Sequence, residues 1–329
     1  MVSWITILFY AHPNIFRVVL KTSDAEFMEA YLRAGEIAYR VKKSVASLVK
    51  PSTRLLDLAE RVEELIRSFG GEPAFPTNIS VNEIAAHDTP YVGDSRVITE
   101  DSLVKIDLGV HVDGFIADTA ITVTLSDKAI KLVEATEEAL HKALTSLSPG
   151  APINAVGRVV EAVAKKYGFN VIKNLTGHSL DRYLIHAGEV IPNHFTRLAL
   201  GKLSKGRAYA IEPFLTPGKG YVEEVRSSTY IYALNTGFKN KHVTEEESLL
   251  IKTIYGKFKT LPLCERWLVK EFSDLSRLRA LLQSLARKSV LTAYPVLKEV
   301  SGNLVAQFEE TILVSGDRVI ITTNPELNK

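Results

Sequence analysis

The chain has 329 residues, 46% of them hydrophobic and 24% charged, with a formal net charge of +2. That length buries a large core in one big domain or two ordinary ones, and the near-balanced charge gives no reason to expect nucleic acid or an anionic membrane as partner. A lone cysteine, Cys264, excludes an internal disulfide framework and suits a reducing, cytoplasmic compartment.

Met1 to Leu20 is apolar and aromatic, but His12, Pro13, Asn14 and Arg17 interrupt it. The stretch is too short and broken to span a membrane, and it lacks the basic start and small-residue cleavage site of a signal peptide. Residues 1–22 are expected to be a poorly ordered extension. Ser23 followed by Glu26 reads as a capping box that opens a helix over about 24–48. Pro51 breaks the chain, and a second helix over about 54–69 ends at Gly70-Gly71.

A strand-and-loop region follows, GEPAFPTNISVNEIAAHDTP, and then LVKIDLGVHVDGFIADTAITVTL, from Leu103 to Leu125. Asp113-Gly114 between β-rich runs is a strong hairpin signal. A two-residue turn there sets Val112 against Phe115 and Asp118 against Gly109. Asp107 then shares a face with Asp118 as its diagonal neighbour, roughly 7–8 Å away at the backbone. A carboxylate is costly to bury without a cation, so two converging acids suit a metal. Taken alone, they also fit the solvated face of an ordinary hairpin.

The pattern recurs. A helix over about 127–147 ends before Pro149-Gly150, and another over about 153–167 ends at Gly168. Pro149 repeats Pro51 and Gly168 repeats Gly70 at one common offset, which also lays Val160 on Val62 and Glu161 on Glu63. Two similar halves, each helix, helix, then strands, are expected to meet around a shared sheet. Short strands follow with two histidines, NLTGHSLDRYLIHAGEVIP, and then AYAIEPF, apolar except for Glu212. From about 244 to 291 the pattern turns helical, with Thr244 as a cap, acids in the first turn, and helices over about 245–259, 263–272 and 275–287. SGNLVAQFEETILVSGDRVIITT returns to strands, with Gly316-Asp317 at a turn.

Five polar residues stand where the pattern wants apolar ones: Asp107, Asp118, His178, Glu212 and Glu309. One imidazole and four carboxylates form an oxygen-rich set suited to hard or borderline divalent cations. Singly, each has a dull explanation, such as a strand-edge charge or a loop histidine bonded to backbone. His87 and His186 have no charge partner in sequence.

DLGVHVDGFIADTA, TGHSL, AIEPF and AQFEETILV resemble, in order, the metal-binding motifs of methionine aminopeptidases. The resemblance runs from about residue 24 to the C-terminus. It implies an α+β "pita-bread" fold of two pseudo-symmetric halves, a catalytic domain over 23–329 interrupted by a helical, winged-helix-like insertion over 242–292. His87 ahead of Asp107, and His186 after His178, stand at the spacings of the type 2 branch. The absence of a long polybasic extension makes the archaeal form the more similar.

The resemblance further implies roles. Asp107, Asp118, His178, Glu212 and Glu309 would bind two divalent ions, cobalt, manganese, iron or zinc, with Asp118 and Glu309 bridging. Glu212 would take the attacking water's proton. His87 and His186 would bind the peptide carbonyl. Phe75, Ile185, Phe214 and Tyr294 would surround a pocket for an unbranched thioether, although all four also read as ordinary core. The activity implied is removal of the initiator methionine from nascent proteins with a small second residue, by a cytoplasmic monomer in transient contact with the ribosome. One departure is plain: the family usually has a histidine directly after its last glutamate ligand, and this sequence has Glu310. Proline-specific peptidases share the fold and a similar ligand set, and some relatives without ligands act as binding proteins. The insertion, the His178–His186 spacing and the absence of a large N-terminal domain favour the methionine enzyme over the proline peptidases, and the full ligand set disfavours a binding protein. The insertion's modest excess of basic residues favours a structural cap over a nucleic-acid module.

Overall fold

Two amphipathic helices begin the first half, each with an apolar stripe at helical spacing. Helix α1 (Asp24–Val45) buries Ala34, Ile37, Ala38, Val41 and Val45, and α2 (Leu55–Ser68) buries Leu55, Leu58, Ala59, Val62 and Ile66. The computed structural model describes residues 24–235, 237 and 242–328. The expected extension over 1–22 and the Ser23 cap lie outside those residues. Both stripes pack on the hairpin Leu103–Val112 and Phe115–Thr124, forming one core with Ile106, Leu108 and Val110.

Asp113 (φ 52°) and Gly114 (φ 88°) both take positive φ, as the tight turn favoured by twisted hairpins requires. The register is therefore Val112 against Phe115, Gly109 against Asp118 and Asp107 against Ala120, as the sequence predicts. Strand Asn78–Val81 pairs with the other edge of Leu103–Val112 and sets Asn78 opposite Asp107.

The second half repeats the plan. Helices α3 (Ile130–Thr145) and α4 (Asn154–Tyr167) pack together over Tyr209, Ile211, Leu215 and Ile312. Gly168 ends α4 with a left-handed φ of 80°. Beneath them lies a five-stranded antiparallel sheet in the order 318–321, 310–315, 207–211, 176–180, 190–192. The offset pair Glu63 and Glu161 plays one part twice. Glu63 accepts the Thr77 N–H at 3.3 Å, and Glu161 accepts the Phe195 N–H at 3.0 Å. The halves join where Glu309 and Ala120 exchange backbone hydrogen bonds of 3.0 and 3.3 Å.

A long antiparallel pair, Val222–Leu234 with Leu291–Glu299, carries the remaining helices. Helix α5 (Glu245–Phe258) starts with a capping box between Thr244 and Glu247, and α6 (Leu275–Arg287) starts at Asp274, whose side chain accepts the Arg277 N–H. Leu250, Ile254, Leu278, Leu281, Leu282 and Leu285 form a separate core with Tyr232, Leu234 and Leu291. The stretch 263–272, expected as a helix, is instead a short strand, Leu263–Cys264, and a single turn, Glu265–Trp267. Leu263 and Cys264 pair with Tyr232 and Ile231. Arg266 and Trp267 both turn to the buried Glu63, at 2.8 Å each. These non-local contacts override a helical pattern. Among the described residues no helix is long and apolar enough to cross a membrane.

Candidate active site

The hairpin presents Asp107 and Asp118 on one face, at the junction of the two halves. Glu309 lies beside them because its backbone is bonded to Ala120. His178 arrives on strand Thr176–Leu180, paired to Ala210, and Glu212 follows the end of strand Arg207–Ile211. The Asn193 side chain holds the Glu212 carbonyl at 2.8 Å. Ligand atoms of Asp118, His178 and Glu309 all lie within 4.8 Å of one another. His178 Nε2 stands 3.4 Å from Glu212 Oε1 and 3.9 Å from Asp118 Oδ2.

The other residues singled out in the sequence come to the same place. Phe75, His87, Ile185, His186, Phe214 and Tyr294 line a cavity of about 400 Å³ whose floor is the five polar residues. The His178 and His186 rings stand 4.4 Å apart, edge to face, and Tyr294 lies 5.5 Å from the His87 ring. His87 takes φ +62°, a left-handed value that few non-glycine residues adopt. Its Nδ1 lies 3.2 Å from the Pro295 carbonyl. A carbonyl only accepts, so Nδ1 carries the proton and Nε2 is the acceptor of the neutral ring. Gly109, opposite Asp118, leaves room for Phe75: a Cβ there would lie 2.3 Å from the ring.

Burial and like charge dominate the electrostatics of the floor. Burial pushes the Asp107 carboxyl up to about 6. Burial, then the charge of Asp107, raises Asp118. Burial and the neighbouring acids raise Glu212 and Glu309 as well. Burial lowers His178 to about 3 and His87 to about 4, so both are neutral near pH 7. Asp107 Oδ1, Asp118 Oδ1 and Glu309 Oε1 are buried without a hydrogen-bond partner. An unpaired buried acceptor costs roughly 1–3 kcal/mol, more when charged, and three in one cavity fit a divalent cation. The donor set agrees: carboxylates with one neutral imidazole.

Sequence reasoning missed the residues that hold these carboxylates. Asn78 donates to Asp107 at 3.4 Å, and Gln307 to Glu309 at 3.5 Å. Gln307 had a signal, lying two residues before Glu309 on the same face of an extended stretch. Asn78 had none without the register of its strand.

A model of metallopeptidase family M24 matches residues 29–253. The methionine aminopeptidase of Pyrococcus horikoshii is 42% identical over 297 residues, covering 90% of this chain and 99% of that protein. A solved structure of a thermophilic Arx1 superposes with a TM-score of 0.79 at 17% identity, covering 90% of each chain. The methionine aminopeptidase of Thermotoga maritima superposes with a TM-score of 0.65 at 23% identity, covering 92% of this chain and 98% of that one. Fold and sequence agree, and the chain belongs to the methionine aminopeptidases of metallopeptidase family M24, with the pita-bread fold.

Proposed function

We propose that the chain is a type 2, archaeal-like methionine aminopeptidase that removes the N-terminal methionine of nascent polypeptides whose second residue is small. The observation that carries this reading is the convergence of the five metal-type side chains, two histidines and four apolar residues on one cavity. Asp107, Asp118, His178, Glu212 and Glu309 would hold two divalent ions, of cobalt, manganese, iron or zinc. Bound there, the ions supply Lewis acidity that polarises a carbonyl and makes water a better acid.

The chain's own residues do the rest. Glu212, at the edge of the floor, takes the proton from the attacking water. His186, beside His178, steadies the carbonyl oxygen as charge develops on it. His87 departs from the role the resemblance implies: held by Pro295 with Nε2 unprotonated, it has no proton for the peptide carbonyl and is suited instead to accept the N–H of the scissile peptide. Phe75, Ile185, Phe214 and Tyr294 surround the thioether side chain. An apolar pocket of this kind discriminates by only about 1–3 kcal/mol per methylene, so other long apolar first residues are poor substrates, not excluded ones.

Residues 23–329 form the catalytic unit. The insertion over 242–292 acts as a cap, since Pro262 lines the cavity. The protein acts as a cytoplasmic monomer that meets the ribosome transiently, without stable binding to nucleic acid or membrane. The test is release of the first residue from Met-Ala-Ser and Ala-Pro-Ala by metal-stripped protein titrated with manganese or cobalt, with Asp118→Asn as control. Metal-dependent release of methionine alone is expected. Cleavage of Ala-Pro-Ala would move the protein to the proline peptidases, and no turnover with any metal would refute the activity.

A further inference from the structure

Glu310, which stands where the resemblance calls for a histidine, is buried on the side of the strand away from the cavity. Its Oε1 meets Lys42 Nζ of α1 at 2.5 Å, and Asn324 donates to the same oxygen at 3.2 Å. Lys42 is buried too, and it also donates to Thr119 Oγ1 at 2.9 Å. With a lone pair so engaged, the Thr119 hydroxyl donates to the backbone carbonyl of Glu309 at 2.7 Å, the shorter of its two acceptor contacts, Glu310 Oε2 lying at 3.2 Å. Thr119 directly follows Asp118, whose own N–H and carbonyl are engaged by Thr311 Oγ1 at 2.7 and 2.8 Å. A chain of hydrogen bonds thus runs from the Lys42–Glu310 pair, through Thr119, to the backbone of Glu309, and Thr119 is itself joined by a peptide bond to Asp118.

We infer that Lys42 and Glu310 are positioning residues for the metal site: an internally neutral buried pair that keeps the Thr119 hydroxyl on the Glu309 carbonyl and so sets the spacing of the Asp118 and Glu309 carboxylates. This rests on the reading that those carboxylates hold metal. Three features favour it over plain stabilisation. Glu310 is compensated at contact distance, so it adds little net charge behind an already acidic floor. The network ends on the backbone of Glu309, not on a remote part of the fold. A buried ion pair replaced by apolar side chains of similar volume often leaves stability unchanged or improved, so folding alone does not require this one.

The experiment uses metal-stripped full-length protein and Mn²⁺ alone as the probe. Wild type, Thr119→Val and the double variant Lys42→Met with Glu310→Met are compared by calorimetric titration, by metal-free melting and by the visible spectrum with Co²⁺. The double variant is expected to melt near wild type without metal, yet bind Mn²⁺ about 10–100-fold more weakly, the range for loss of an outer-sphere partner. Thr119→Val, which removes no charge, is expected to weaken binding in the same direction and to alter the Co²⁺ spectrum. If the double variant fails to fold, Thr119→Val carries the test alone. Wild-type Mn²⁺ affinity in both variants would leave the pair a purely structural device and overturn the inference. So would tighter binding in Lys42→Met, weaker binding in Glu310→Gln and no effect in Thr119→Val, the pattern of a simple charge field. Failure of wild type itself to bind Mn²⁺ would instead overturn the metal reading, and this inference with it.

Discussion

Replacing Gly109 with alanine tests whether Phe75 is a fixed wall of the methionine pocket. An added Cβ would lie 2.3 Å from Phe75 Cε1, 2.6 Å from its Cδ1 and 3.0 Å from the Ala74 Cβ. Carbon atoms in ordinary contact sit about 3.5–4.0 Å apart, so the ring must shift by more than about 1 Å. Ala74 is fully buried beside it, and the open side is the cavity of about 400 Å³. The ring therefore moves into the space assigned to the thioether. Overpacking of this size costs roughly 1–3 kcal/mol of stability. A displacement of about 1 Å at a reacting centre costs on the order of 100-fold in rate, and here it falls first on substrate binding. In steady-state assays of Met-Ala-Ser, KM is expected to rise about tenfold or more, with a smaller fall in kcat. Adding Phe75→Leu to Gly109→Ala removes the clashing ring edge and is expected to recover much of the loss. Unchanged KM and kcat in Gly109→Ala, with the protein folded, would show that the ring does not bound the pocket.

Two further outcomes follow from buried charge. Glu63 accepts from both terminal nitrogens of Arg266, at 2.8 and 3.1 Å, and from Trp267 at 2.8 Å, tying the insertion to α2. Arg266→Met leaves that carboxylate buried without its cation and is expected to cost about 3–5 kcal/mol, read by denaturant unfolding; adding Glu63→Met is expected to restore only part of it, because the Thr77 and Trp267 N–H groups then lose their acceptor, and a loss under about 1 kcal/mol in the single variant would refute the account. The floor also fixes how metal binding depends on pH. Asp107 titrates at about 6 without metal, and Asp118, Glu212 and Glu309 are likewise raised by burial. Each must lose its proton to bind a cation, so metal affinity falls as pH drops through about 6. In the metal-free protein the raised Asp107 value works the other way: its stabilising contribution is full below the ordinary carboxylate range and is lost as pH rises through about 6. The gain in melting temperature on adding Mn²⁺ is thus expected to be large at pH 8 and small at pH 5. A gain that does not change with pH would contradict the protonated floor.

The hairpin was legible because its turn is chemically explicit. Asp113-Gly114 fixes the register, and register alone places Asp118 and Asp107 on one face. The repeated helix pair was legible through Pro51, Pro149, Gly70 and Gly168, which punctuate both halves at one offset. His178, Glu212 and Glu309 stood out as polar residues in apolar runs. What stayed hidden depends on contacts far apart in the chain. The 263–272 stretch reads as a helix until Glu63, in another part of the sequence, captures Arg266 and Trp267. Glu310 reads as an extra negative charge until α1 supplies Lys42. Neither partner leaves a local pattern, because the pairing is set by how the halves pack.

Asp107, Asp118, His178, Glu212 and Glu309 are proposed to hold two divalent ions. Calorimetric titration of metal-stripped protein with Mn²⁺ at pH 8 counts them. Two ions per chain are expected in wild type, with binding weakened by far more than about 100-fold in Asp118→Asn and in Glu309→Gln, beyond the loss typical of outer-sphere partners. Wild-type binding retained in both variants would place the metal elsewhere and contradict the claim.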